Sequence, residues 1–203
     1  MENLGGNNKR GSNNKNNGRI PYLIWGLIAL NTLLFASRVA TKSDLLSLDS
    51  MKLIPSQFVS KPSENGYRVV SSVLGHADLL HLFFNMYALW TFGSPLEKAI
   101  GPWHTLGLYA FGGIGSNLLY SLVYRKSDVG VIGASAAISS IAAAYFLQFA
   151  EHKSMANWIT FQLVGLLLYS QSNISYASHL IGFVLGALYF LIFLRKPSVT
   201  SKN

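Results

Sequence analysis

The residues able to do chemistry fall in three short stretches, each embedded in apolar sequence. The first holds His76, Asp78, His81 and Asn85, the second reads Gly133-Ala134-Ser135-Ala136, and the third reads Ser178-His179-Leu180-Ile181-Gly182. His81 and Asn85 are four residues apart and so share one face of a helix. A serine hydroxyl becomes a useful nucleophile only beside a base, and histidine is the side chain that most often serves as one. Each piece also has a plain structural reading. A serine in an apolar span packs helices or bonds its own backbone. A histidine near a span end is often interfacial, and His81 with Asn85 can simply join two helices. Those readings leave one fact unexplained: the three clusters open alternate apolar runs.

The runs cover residues 20–37, 73–92, 104–124, 131–150, 156–170 and 177–194. The fifth is the shortest and is interrupted by Gln162. Half of the 203 residues are hydrophobic and only 12% are charged, against about 25% charged in a soluble domain. Mean hydropathy is +0.32. So little charge cannot cover a water-facing surface. A bilayer instead asks for about 20 apolar residues per spanning helix. The sequence therefore predicts an all-α membrane protein with six spans. Six alternating spans put the starts of the second, fourth and sixth on one side, so the polar clusters share one depth. Polar groups at membrane depth are costly and are functional candidates by default.

Residues 1–19 are Asn-, Gly- and Lys-rich and too polar to bury a core, which predicts a disordered basic tail. They match neither a signal peptide nor an amphipathic transit peptide. Residues 196–203 form a second short polar tail. The long segment 38–72 mixes polar residues with Leu45, Leu46, Met51, Leu53 and Phe58, which suggests a partly helical loop at the interface. Six spans put nine Lys and Arg on the side of the termini and seven on the other, which predicts cytoplasm-facing termini. The net charge of +8 points to topology and anionic lipid rather than nucleic acid. No cysteine is present, so disulfides, thiolate catalysis and Cys-ligated metals are excluded.

Small residues supply a way to bring the clusters together. Ser178, Gly182 and Gly186 recur every four residues in the sixth run, as do Ser135, Ser139 and Ala143 in the fourth. Such faces let helix backbones approach closely. If the two faces meet, Ser135 and His179 come within reach of each other.

At these residues the chain resembles the rhomboid family of intramembrane serine proteases, over about residues 20–195. His76-Ala-Asp-Leu-Leu-His81-Leu-Phe-Phe-Asn85 is similar to the family's two histidines and asparagine. Gly93-Ser-Pro-Leu-Glu97-Lys-Ala-Ile-Gly101 is similar to its Gly/Glu/Gly motif. Gly133-Ala-Ser135 resembles the nucleophile motif, His179-Leu-Ile-Gly182-Phe-Val-Leu-Gly186 the general-base helix, and Tyr67-Arg68 the Trp-Arg pair of the first loop. The resemblance implies a six-helix rhomboid-like bundle with a long first loop, and cleavage of transmembrane-helix substrates by a dyad of Ser135 and His179. It implies an oxyanion held by Asn85, His81 and the backbone at Ala134 and Ser135. His76, Gly133, Glu97, Arg68, Gly182 and Gly186 take structural roles. No cofactor or metal is implied; the partners are single-span membrane proteins and the bilayer.

Three positions depart from the family pattern. Ala136 replaces the glycine after the nucleophile, Ser139 replaces a tyrosine that stacks on the base, and Tyr67 replaces tryptophan. Loss of the ring at Ser139 predicts a less firmly oriented His179. No carboxylate is placed by sequence to orient His179, and Asp78 is the nearest by depth. The rival readings are a rhomboid-like protein that binds membrane clients without cutting them, a small transporter using His76, His81 and Asn85, and a metal site of His76, His81 and His179. Which membrane holds the protein, whether bacterial plasma membrane, mitochondrial inner membrane or secretory pathway, is not written in these residues.

Overall fold

The computed structural model describes residues 19–41, 44–168 and 176–195. The predicted tails lie outside these residues, apart from Arg19. Eleven α-helices are present among the described residues: α1 (Tyr22–Thr41), α2 (Leu48–Met51), α3 (Pro55–Ser60), α4 (Pro62–Asn65), α5 (Arg68–Leu74), α6 (Leu79–Ala88), α7 (Ser94–Ile100), α8 (Pro102–Val123), α9 (Ser135–Gln148), α10 (His152–Leu168) and α11 (Tyr176–Phe193). A five-residue π turn, Leu89–Gly93, joins α6 to α7 without ending the helical path. The segment 44–74 is partly helical, as its composition suggests.

Helices α1, α8 and α11 are long and apolar enough to cross a membrane. The pair Pro62–Leu74 and Leu79–Ile100 adds a fourth such element, bent by 71° at its break. The outward surface is apolar: Leu80, Phe83, Phe84, Trp103, Leu122 and Ile192 are all exposed. Such continuous exposed apolar surface marks contact with a membrane or partner rather than water. The chain is an integral membrane protein with an all-helical fold.

Helix α9 is the centre. Residues Ala136 to Ala144 are buried without a break, so this helix is enclosed all round, as a helix without a polar face must be. Its 14 residues span about 21 Å at 1.5 Å per residue, less than the roughly 30 Å hydrocarbon core. Helices α8 and α11 close on it through small residues. A methyl group added at Gly182 would collide with the Ala136 carbonyl oxygen, one at Gly186 with the Ser140 carbonyl oxygen, and one at Gly112 with the Ser140 side chain. The α9 atoms nearest the α11 glycines are backbone atoms of Ala136 and Ser140, while Ser135 of the expected face also reaches α11, through His179. Close approach is set by the backbone carbonyls that the glycines uncover. Ser178 turns away from this seam, its hydroxyl 3.1 Å from that of Ser116 on α8.

The second run corrects an expectation. The apolar stretch 73–92 is not one helix: Gly75 to Asp78 break it, and the helix that follows reaches on to Ile100. The carboxylate of Asp78 accepts the backbone N–H of His81 at 2.8 Å, which makes Asp78 an N-cap and ends the helix there. His76 and Asp78 therefore precede the helix that carries His81 and Asn85.

Polar contacts tie the loop and the bundle together. The Glu97 carboxylate, only 4% exposed, accepts the N–H groups of Leu23 at 3.1 Å and Ile24 at 2.9 Å. These are orphan donors of the first turn of α1, and a carboxylate there also complements the helix dipole. Arg68 donates to the carbonyls of Asp49 and Lys52 at 2.7 and 3.0 Å, and Arg38 to that of Ala77 at 3.1 Å. Asn117 of α8 donates to the Val69 carbonyl and the Ser72 hydroxyl. The Gly133 N–H donates to the Ser72 carbonyl at 2.7 Å, and Leu53 pairs with Val131 as an isolated bridge. The last two contacts hold the stretch of chain that leads into Ser135.

Candidate active site

Ser135 is the first residue of α9, with Ala134 as its cap. The start of a helix leaves N–H groups without intrahelical acceptors, and the positive end of the helix dipole lies there. The nucleophile candidate therefore sits beside backbone donors of the kind an oxyanion needs. Gly133 makes the approach. Its φ of +123° is open to glycine and strained for other residues. A methyl group there would lie 2.7 Å from Nε2 of His81 and 3.8 Å from the Ser135 hydroxyl oxygen. The edge of His81 and the Ser135 hydroxyl thus flank one glycine backbone.

His179 stands one turn into α11. Its Nε2 lies 2.8 Å from the Ser135 hydroxyl oxygen, within the range of a well-made hydrogen bond. Ser135 and His179 are thus brought together across the seam between α9 and α11. The same imidazole is engaged on its other nitrogen: Nδ1 lies 2.9 Å from Oε1 of Gln162 on α10. Tyr176 sets its ring edge-on to His179, with centroids 5.9 Å apart and planes at 70°. Ser139 donates its hydroxyl to the Ser135 carbonyl at 2.8 Å and does not touch the imidazole.

In the sequence Gln162 reads only as an interruption of a weak span, and Tyr176 lies just outside the sixth run. The available signal is a glutamine inside the more apolar half of α10. Asp78, the carboxylate nearest by depth, is committed to capping α6.

The remaining candidates gather at the start of α6. The rings of His76 and His81 meet edge to face, centroids 5.2 Å apart. His76 is 1% exposed, enclosed beside the His81 ring. Asn85 donates one amide hydrogen to the His81 carbonyl at 2.9 Å, and its buried Oδ1 has no partner. Glu97, Arg68 and Gly186 stand away from the Ser135–His179 contact, in the roles of cap, loop anchor and helix seam.

Comparison with known proteins adds a family. Residues 63–196 match the Rhomboid domain. The chain is 27% identical over 202 residues to the Rhomboid protease AarA of Providencia stuartii, covering 84% of this chain and 72% of that one. It is 30% identical over 139 residues to the Putative rhomboid protease YdcA of Bacillus subtilis, covering 64% and 68%. It is 26% identical over 185 residues to the Rhomboid protein 1, mitochondrial, of Saccharomyces cerevisiae, covering 82% of this chain and about half, 52%, of that one. These relatives come from bacterial and mitochondrial settings, so kinship leaves the membrane open. With a domain match across two thirds of its length and relatives named as proteases, the chain belongs to the rhomboid family.

Proposed function

We propose that this protein is an intramembrane serine endopeptidase that cuts single-span membrane proteins with a dyad of Ser135 and His179. The observation that carries the reading is the 2.8 Å contact between His179 Nε2 and the Ser135 hydroxyl at the start of an enclosed helix. In this mechanism Nε2 removes the hydroxyl proton as the serine oxygen attacks the scissile carbonyl. The imidazolium then gives that proton to the leaving amine, and the carbon–nitrogen bond breaks to leave an acyl ester on Ser135. A water, deprotonated by the same imidazole, hydrolyses the ester and restores the hydroxyl.

The tetrahedral oxyanion is met by the backbone donors at Ala134 and Ser135, by the Asn85 amide and by His81. Each such donor contributes about 10²–10³ in kcat. His76 lines the same end of the site. The catalytic body is residues 20–195, arranged as six spans with both termini on the cytoplasm-facing side and polar tails at 1–19 and 196–203. A substrate helix hides its carbonyls in its own hydrogen bonds and must unwind before attack. Small or helix-breaking residues near the His76 end of the site therefore favour cleavage.

The test is cleavage of a single-span reporter by the purified protein in liposomes. Wild type should cut, and Ser135→Ala and His179→Ala should both abolish cutting. A folded wild type that binds the reporter without cutting it would move the reading to client binding.

A further inference from the structure

The base of a serine hydrolase has to present a lone pair to its nucleophile, and a neutral imidazole does so in only one of its two tautomers. Gln162 is placed to set that tautomer. Its Oε1 lies 2.9 Å from Nδ1 of His179. An amide oxygen accepts and cannot donate. With Oε1 as the acceptor, the shared proton sits on Nδ1, which leaves the Nε2 lone pair directed at the Ser135 hydroxyl. Gln162 is 6% exposed, so little water reaches this bond to replace it.

The contact belongs to a face. Trp158 lies one turn before Gln162 on α10, and Phe183 lies one turn after His179 on α11. Their rings stack with centroids 4.6 Å apart and planes at 18°. Two adjacent layers of α10 thus meet two adjacent layers of α11, one apolar and one polar. Tyr176 holds the imidazole from another side.

We propose that Gln162 is a positioning residue for the reaction: it accepts the Nδ1 proton of His179, fixes the base tautomer, and makes activity depend on α10 staying docked against α11. This rests on the Ser135–His179 reading. Being neutral, the amide orients the imidazole but offers the imidazolium no opposite charge, so an acceptor carrying a charge should do more than hold the ring.

The test compares Gln162→Leu and Gln162→Met, which remove the acceptor, with Gln162→Glu, which keeps it. Both apolar variants should lose about tenfold in kcat, the scale of one hydrogen bond, with KM unchanged. Gln162→Glu should restore kcat. It should also move the acidic limb of the pH–kcat profile to higher pH, because a carboxylate stabilises the protonated imidazole. Ser135→Ala runs beside them. If it cuts like wild type, the dyad itself has failed. If it is inert while Gln162→Met keeps wild-type kcat, or while the Glu and Met variants are equally slow with unmoved profiles, the role assigned to Gln162 is overturned.

Discussion

Replacing Gly182 with alanine should separate the nucleophile from its base without touching either. The new methyl would lie 2.9 Å from the Ala136 carbonyl carbon and 3.1 Å from its Cα, and would press harder still on the carbonyl oxygen. Carbon atoms rest at about 3.5–4.0 Å, and helix backbone cannot swing aside as a flexible side chain can. The two helices must therefore part by about 1 Å at this point. Ser135 is one residue before Ala136, and His179 is one turn before Gly182, so the opening falls on the dyad. A 2.8 Å contact lengthened by about that amount leaves the hydrogen-bond range. A misplacement of about 1 Å in a catalytic geometry costs on the order of 10² in rate, and overpacking adds about 1–3 kcal/mol of destabilisation. The assay is reporter cleavage in liposomes together with thermal unfolding in detergent. Gly26→Ala is the control, because a methyl there meets nothing within 4 Å. Gly182→Ala should lose activity at temperatures where it is still folded. Activity within twofold of wild type would refute the argument that this seam sets the dyad.

Two further outcomes follow from single side chains. Asn85→Ala should lower kcat by about 10²–10³ with little change in KM; in steady-state kinetics on the reporter, a raised KM with kcat unchanged would mark a binding role instead. Glu97→Ala strands the buried N–H of Ile24 and the half-buried N–H of Leu23 at the start of α1, the buried one costing about 1–3 kcal/mol and the other less, whereas Glu97→Gln keeps one acceptor oxygen and should lose less; denaturant titration in mixed micelles ranks the two, and equal losses would count against a capping role.

Much of this architecture is legible in the residues. Blocks of apolar sequence announce helices in a bilayer, and the order of His81, Asn85, Ser135 and His179 announces a site at one depth. The register is less legible. The break at Gly75–Asp78 hides inside an apolar run because Asp78 caps the following helix through its side chain, which hydropathy does not register. The small side chains point to the right pair of helices, but not to the close backbone approach, in which Gly182 and Gly186 lie against the carbonyls of Ala136 and Ser140. Gln162 could not be assigned a partner, since its contact with His179 joins elements that only packing brings together. Tyr176 likewise precedes the apolar run it helps to anchor.

Activation of Ser135 by His179 in the folded protein should make that serine reactive. A fluorophosphonate probe applied to the purified protein, with the adduct mapped by peptide mass spectrometry, reads this out. One modified serine is expected, Ser135, labelled in wild type, strongly slowed in His179→Ala and lost on unfolding. Modification spread over several serines, or Ser135 labelled at the same rate in His179→Ala as in wild type, would contradict it.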